Sequence, residues 1–205
     1  MLPYNQKYIV WDLETEGLNL RYSRPWELSY LVYQGTKLIK KRQIYIALDD
    51  FNLSPLIRKL CNFDERKYNT EKVSPKEAWL EFKNLLYDPN YKIVGQNILK
   101  YDVNILKILC DMCEEELDFS FIDRILDTRP LALAHRCDLE KPRKGDIVEW
   151  QYKVLNDRDL KARVSQSALL KYFGIEHDAE RLHDALYDCQ MTWEIFMCLK
   201  KCLEI

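Results

Sequence analysis

Lys7-Tyr8-Ile9-Val10-Trp11-Asp12-Leu13-Glu14-Thr15-Glu16-Gly17-Leu18 is the stretch on which the reading of this chain turns. Four consecutive apolar residues, Tyr8 to Trp11, read as a buried strand. That strand runs straight into two carboxylates separated by one residue. Residues i and i+2 of a strand share a face, so Asp12 and Glu14 project side by side at its end. Two like charges placed that close, beside an apolar strand, repel each other and lose hydration. They persist as a dianion only with a cation between them. A divalent ion of the Mg2+ or Mn2+ type, which takes carboxylate and water oxygens, is the simplest candidate. Two solvated carboxylates at a strand end would look the same in sequence, so the metal reading depends on further ligands elsewhere in the chain.

The composition is that of an ordinary soluble globular protein: 205 residues, 47% hydrophobic, 31% charged and a net charge of −2. That length fits one domain with a sizeable core. The near-neutral charge excludes a broad basic surface but not a nuclease, whose acidic ligands offset basic residues elsewhere. No run approaches 18 apolar residues, so no membrane partner is expected. Met1 to Lys7 carries no basic flank followed by an apolar segment, as a secretory leader would. Seven cysteines, an odd number without framework spacing, suggest a reducing cytosol, and a cytoplasmic location is expected.

Outward from the opening stretch, Trp26–Tyr33 and Lys37–Ile46 read as strands joined through Gln34-Gly35-Thr36, a hairpin whose basic second strand suits a solvated edge. Residues 48–73 read as a long connection with one helical turn near Ser54–Leu60. Ser74-Pro75-Lys76-Glu77 is a capping box with proline at the first helical position, which predicts a helix to about Tyr87. Tyr91–Gly95 is a short buried strand. A helix from Tyr101 carries Val103, Leu106, Cys110, Cys113 and Leu117 along one stripe. Phe119–Ile125 suits a strand, and Thr128–His135 a helix or turn. Residues 138–163 hold Lys141, Arg143, Lys144, Lys153, Arg158, Lys161 and Arg163, interleaved with Trp150 and Tyr152. They read as a charged insertion, either a solvated excursion or a mobile segment suited to single-stranded nucleic acid. Ser165–Phe173 is a helix closed by Gly174, and a last helix covers about Asp184–Leu203. The order predicts an α/β domain whose mixed sheet is flanked by helices.

The missing ligands have candidates at element ends. Gly95-Gln96-Asn97-Ile98-Leu99-Lys100-Tyr101-Asp102 leads from a strand into a helix, where Asp102 is also what the helix dipole alone would favour. In His183-Asp184-Ala185-Leu186-Tyr187-Asp188, the last carboxylate borders core positions and needs a partner. His183, at the helix start, can act as a base near neutral pH. Four carboxylates and one histidine match two-metal phosphoryl hydrolysis. Cys110 and Cys113, with Cys198 and Cys202, lie on helices and read as ordinary core cysteines rather than a zinc site.

These three motifs, with Ser167-Ala168-Leu169-Leu170-Lys171-Tyr172-Phe173-Gly174-Ile175 before the last, resemble those of the DEDDh 3′–5′ exonucleases, a DnaQ-like group of the ribonuclease H-like superfamily that includes proofreading subunits. The resemblance runs from about Lys7 to Cys198. It implies a ribonuclease H-like fold with a central five-stranded mixed sheet, one exonuclease domain over residues 1–205, and two Mg2+ or Mn2+ ions held by Asp12, Glu14, Asp102 and Asp188. It further implies His183 as general base. Leu13, Thr15, Glu16, Gly17 and Leu18 would meet the 3′-terminal nucleotide, with Leu18 wedged against its base, and Asn97 would line the same site. The reaction implied is release of nucleoside 5′-monophosphates from single-stranded DNA or frayed 3′ ends. Single-stranded RNA is the alternative substrate. A non-catalytic nucleic-acid-binding or polymerase-associated module is the competing class, and any polymerase would be met in trans. Two departures stand out: Glu16 where the family commonly has threonine, and Gln96 where it commonly has histidine.

Overall fold

The computed structural model describes residues 5–140 and 146–205. Its strands are β1 (Lys7–Thr15), β2 (Pro25–Gln34), β3 (Lys37–Tyr45), β4 (Tyr91–Gly95) and β5 (Ile125–Asp127). They form one sheet in the order β3-β2-β1-β4-β5. β1 is antiparallel to β2 and parallel to β4, and β5 is parallel to β4, so the sheet is mixed as expected. Gly35 takes φ of 58° in the β2–β3 hairpin, a conformation costly for a residue with a Cβ. β3 is one edge of the sheet, and its first six residues are exposed.

The period of β1 sorts its side chains between two cores. Ile9, Trp11 and Leu13 face α3 (Pro75–Tyr87) and α4 (Asp102–Met112), where Trp11 meets Phe82 with ring centroids 5.3 Å apart. Tyr8 and Val10 face α8 (Ala185–Leu203). There Trp193 stacks on Tyr33 at 3.9 Å and meets Tyr8 edge-on at 5.3 Å. Burying each such ring contributes about 1.5–3 kcal/mol. Asp12 and Glu14 continue the Tyr8–Val10 side, so the packing that places α8 also determines what those carboxylates meet.

Several segments differ from expectation. The 48–73 connection holds two helices, α1 (Pro55–Leu60), capped by Ser54, and α2 (Glu65–Glu71), capped by Asp64. α2 escapes a periodicity test because only Tyr68 of its residues is buried. α4 stops at Met112, short of Leu117. Phe119–Arg124 is a 3-10 helix rather than a strand, because Asp118 accepts the Ser120 N–H and turns the chain. α5 (Thr128–Arg136) follows β5 directly.

The charged 138–163 segment is not a solvated excursion throughout, because its middle forms a packed helix, while the stretch after it, residues 157–163, is irregular and mostly exposed. Asp146 caps α6 (Ile147–Asn156), which buries Val148, Gln151 and Val154, while residues 141–145 lie outside the described part. Inside the protein, the Gln151 amide donates to the Ile125 carbonyl at 2.9 Å and accepts the Asp127 N–H at 2.7 Å. α6 therefore supports β5. After it, α7 (Gln166–Phe173) ends at Gly174 with φ of 66°, as the sequence predicts.

Candidate active site

β1 delivers Asp12 and Glu14 to one face, and α8 brings Asp188 across to them. One oxygen from each of the three lies within 4.8 Å of the others. Among the described residues this is the one such acidic, histidine or cysteine group. Asp184 caps α8 by accepting the N–H groups of Leu186 and Tyr187, which presents Asp188 in the first turn. Asp188 Oδ2 accepts the His183 N–H at 3.1 Å. Its Oδ1 is buried with no partner in the protein. A buried carboxylate oxygen left unpaired is costly unless a cation completes it.

Asp102 reaches the end of β1 from the opposite side. It is 4% exposed, and its Oδ1 accepts the Leu13 N–H at 3.2 Å. Leu13 is itself buried, and its N–H is what holds Asp102 in place. His183 is exposed in a turn with φ of 74°. Its side chain is thus free of the core and stands at the N-terminal mouth of α8.

The second motif is held by a residue that sequence reading passed over. Asp127 is fully buried and accepts three backbone N–H groups: Asn97 at 2.8 Å, Leu99 at 3.0 Å and Arg129 at 2.9 Å. This fixes the turn that leads into Asp102. Asn97 adopts φ of 64°, which asparagine tolerates, and its Oδ1 is buried without a partner. Gly95 begins the turn because a Cβ there would lie 2.8 Å from the Ile98 side chain. Gln96 donates to the Val164 carbonyl at 2.9 Å and bonds the Thr128 hydroxyl, a structural use for the departure noted in sequence.

The loop after β1 is similarly pinned. The Gly17 carbonyl accepts Thr15 Oγ1 at 2.5 Å and the Tyr101 hydroxyl at 2.8 Å. Leu18, beyond it, is 88% exposed and presents its side chain to solvent at the mouth. Glu16 carries no free charge there: Arg24 grips both its oxygens at 2.7 and 2.8 Å.

Two further groups border the carboxylates. Glu27, 3% exposed, pairs with Glu14 across β1 and β2, so it stands on the same face. Its Oε1 accepts Ser29 Oγ at 2.9 Å and Gln43 Nε2 at 3.0 Å. A lone glutamate between Trp26 and Leu28 was a visible signal for such a position. Cys61 donates its thiol to Glu14 Oε2 at 3.2 Å from the end of α1, a contact across 47 residues with no local trace.

Burial is the first cause of every pKa shift in this cluster. It raises Asp12 well above the usual carboxylate range, with the charges of Asp102, Glu14 and Asp188 adding to it. Glu14 rises to about 8 by burial, opposed by the Cys61 thiol. Asp102 rises to about 7 by burial, against the lowering effect of the Leu13 N–H. Asp188 and Glu27 also rise to about 7 by burial. The protein alone does not stabilise these groups as anions; bound divalent cations would. An all-carboxylate donor set, one of whose residues keeps a buried oxygen without a partner, fits Mg2+ or Mn2+.

A family model for exonucleases, RNase_T, matches residues 9–196. No curated protein matches the chain. Among solved structures, a product-bound exonuclease I is similar with a TM-score of 0.73 and 15% identity, covering 96% of this chain and 44% of that one. E. coli exonuclease I in complex with a dA16 oligonucleotide gives 0.72 and 17%, covering 97% and 41%. The zinc-bound form of an E. coli exonuclease I complex with single-stranded DNA gives 0.71 and 17%, covering 96% and 41%. The chain thus spans about two fifths of those proteins' length, and at such identity the likeness is one of fold.

Proposed function

The chain belongs to the RNase_T exonuclease family, DnaQ-like and DEDDh-type within the ribonuclease H-like superfamily, and from that premise we propose that it is a metal-dependent 3′–5′ exonuclease. On this reading residues 1–205 act as one exonuclease domain that takes single-stranded DNA or a frayed 3′ end and releases nucleoside 5′-monophosphates. The observation that carries it is the convergence of Asp12, Glu14 and Asp188 to within 4.8 Å, with Asp188 Oδ1 buried and without a protein partner. A pure binding module has no use for such a cluster. The oligonucleotide-bound exonuclease I structures support DNA as the first substrate to try.

Asp12, Glu14, Asp188 and, through its position beside Leu13, Asp102 would hold two Mg2+ or Mn2+ ions. When bound, these would supply charge neutralisation, activation of a water and stabilisation of the leaving oxygen. The residues of the chain do the rest. His183, exposed beside Asp188, would take the proton from the attacking water at an imidazole nitrogen. Tyr101 and Thr15 fix the Gly17 carbonyl, so the loop that meets the terminal nucleotide enters the reaction already ordered. Leu18 would lie against the terminal base, and Asn97 would line the site from the second motif.

The test is hydrolysis of 5′-labelled DNA and RNA oligonucleotides, with free and blocked 3′ ends, in Mg2+ and in chelator. Shortening from free 3′ ends only, abolished by chelator and reduced about 10²–10⁴-fold in His183→Ala, is the expected result. Full activity in Asp12→Ala or His183→Ala would overturn the mechanism.

A further inference from the structure

Both α5 and α7 start at the catalytic mouth. Thr128, the first residue of α5, donates its hydroxyl to the Gly95 carbonyl at 3.1 Å. Gln166, the first of α7, donates to the Asp188 carbonyl at 2.9 Å and to Thr192 Oγ1 at 3.0 Å. Between these helices lies an open groove of about 580 Å³, lined by Arg136, Arg163, Ser165, Ser167, Lys171 and Tyr172. Residues 165, 168, 171 and 172 are spaced three and four apart, so one face of α7 forms a wall of the groove.

The chemistry of that wall is one-sided. Three cations meet in a chain whose net charge is −2, and no carboxylate lines the groove among the described residues. Arg136 is immobilised: it stacks over the Tyr172 ring at 4.5 Å while its Nη1 donates to the Arg163 carbonyl at 3.1 Å. Tyr172 remains 47% exposed. Ser165 and Ser167 place their hydroxyls 3.3 Å apart at the end nearest Asp188. Cations, hydroxyl donors and a half-exposed aromatic in one channel suit a phosphodiester backbone with unstacked bases.

We propose that the groove between α5 and α7 holds the phosphate backbone of a single-stranded nucleic acid whose 3′ end occupies the carboxylate mouth. The proposal rests on the exonuclease reading, and proximity to the carboxylates together with the one-sided charge favours nucleic acid over an acidic peptide. Ser165 adjoins Gln166, whose amide donates to the Asp188 main-chain carbonyl, so the groove begins beside the first turn of the helix that carries the Asp188 carboxylate. The groove also relocates the electrostatic contact suggested by sequence. Of the basic residues in 138–163, Arg163 lines it, whereas Lys153 is paired with Glu149 at 2.7 Å.

Fluorescence anisotropy in chelator, with labelled DNA of about 4 and about 16 nucleotides, measures the effect of length. Wild-type affinity should rise with length. In Arg163→Ala/Lys171→Ala the long oligonucleotide should bind roughly ten-fold more weakly, and the slope of log affinity against log salt should fall by about 1.4. Lys41→Ala/Lys107→Ala, on other surfaces, serves as the control. Arg163→Gln/Lys171→Gln repeats the test should the alanine pair fold poorly. Unchanged length dependence and salt slope in a variant, with hydrolysis intact in wild type, would overturn the groove and leave the exonuclease reading standing. A wild type that neither binds nor hydrolyses any oligonucleotide would overturn both. Binding of polyglutamate that is lost in the variant, with oligonucleotide affinity unchanged, would reassign the groove to acidic protein.

Discussion

Arg24 holds Glu16 in a two-pronged ion pair, with Nε to Oε2 at 2.7 Å and Nη2 to Oε1 at 2.8 Å, two residues beyond Glu14 in the chain. The sequence presents Glu16 as surplus negative charge beside the Asp12–Glu14 pair. The fold cancels that charge by bringing β2's approach alongside the end of β1, where the Glu16 N–H also donates to the Arg24 carbonyl at 3.1 Å. The departure from the family pattern is therefore compensated within the chain.

Arg24→Ala should expose the Glu16 charge to an incoming strand. Both side chains are partly exposed, so the stability cost should stay within about 1 kcal/mol. KM for an oligonucleotide should rise several-fold with kcat little changed, and the additional Glu16→Gln change should restore it. Equal KM values for the single variant and wild type would show that the pair has no part in substrate approach.

Asp12→Asn should move activity and stability in opposite directions. It removes one of a set of repelling, partly buried carboxylates that lose hydration in the fold, so the metal-free protein should melt at a higher temperature than wild type. Hydrolysis should fall by about 10³-fold or more through loss of a metal ligand. Melting curves in chelator, beside activity in Mg2+, check both halves. A lowered Tm in chelator would show that Asp12 is stabilised by the protein alone.

The raised pKa values give the metal-free protein a defined pH dependence. Glu14 rises from its ordinary 4.5 to about 8, and Glu27 from 4.5 to about 7, because burial disfavours their charged forms. The folded state then binds more protons than the unfolded state between those limits, so stability falls as pH rises through that window. In chelator the Tm should drop from about pH 5 to about pH 8. Added Mg2+ should raise it more at the alkaline end, where ionised ligands are available. A Mg2+ shift that is the same at both ends would contradict this.

Cys61→Ala removes the thiol that donates to Glu14 Oε2. Partners of ligands that lie outside the metal's own coordination shell typically tune affinity, and about a ten-fold loss of Mn2+ affinity is expected. Calorimetric titration measures it directly. Cys61→Ser, which keeps a donor, should recover most of the loss. If serine fares no better than alanine, the effect is one of packing.

Asp127→Asn should disturb the second motif from a distance. One acceptor oxygen cannot serve the three N–H groups of Asn97, Leu99 and Arg129, and a cost of about 2–4 kcal/mol follows. Gln151→Leu should act through the same chain of contacts, leaving the Asp127 N–H unpaired at a cost of about 1–3 kcal/mol. Chemical denaturation gives both numbers. Wild-type stability in either variant would show that the turn before Asp102 is held by other contacts.

What the sequence alone determined is local and periodic. Alternation puts Asp12 and Glu14 on one face whatever the strand packs against. Ser74 with Glu77, and Gly174, mark helix ends through bonds to their own neighbours. The order of elements was enough to predict a mixed sheet flanked by helices. Where three or four residues decide a feature among themselves, the chain can be read directly. The tertiary structure decided the rest, because the deciding partners are distant in sequence: Leu13 with Asp102 across 89 residues, Cys61 with Glu14 across 47, Gln151 with Asp127 across 24. α2 is held by one buried side chain, Tyr68, and α6 by Val148, Gln151 and Val154, each helix behind an aspartate cap rather than on a long apolar stripe, so their pattern looks like loop. Burial, which sets the carboxylate pKa values and leaves Asp188 Oδ1 without a partner, belongs to the assembled molecule alone. Spacing supplies the carboxylates in order; only packing strips them of water and brings Asp12, Glu14 and Asp188 within 4.8 Å of one another.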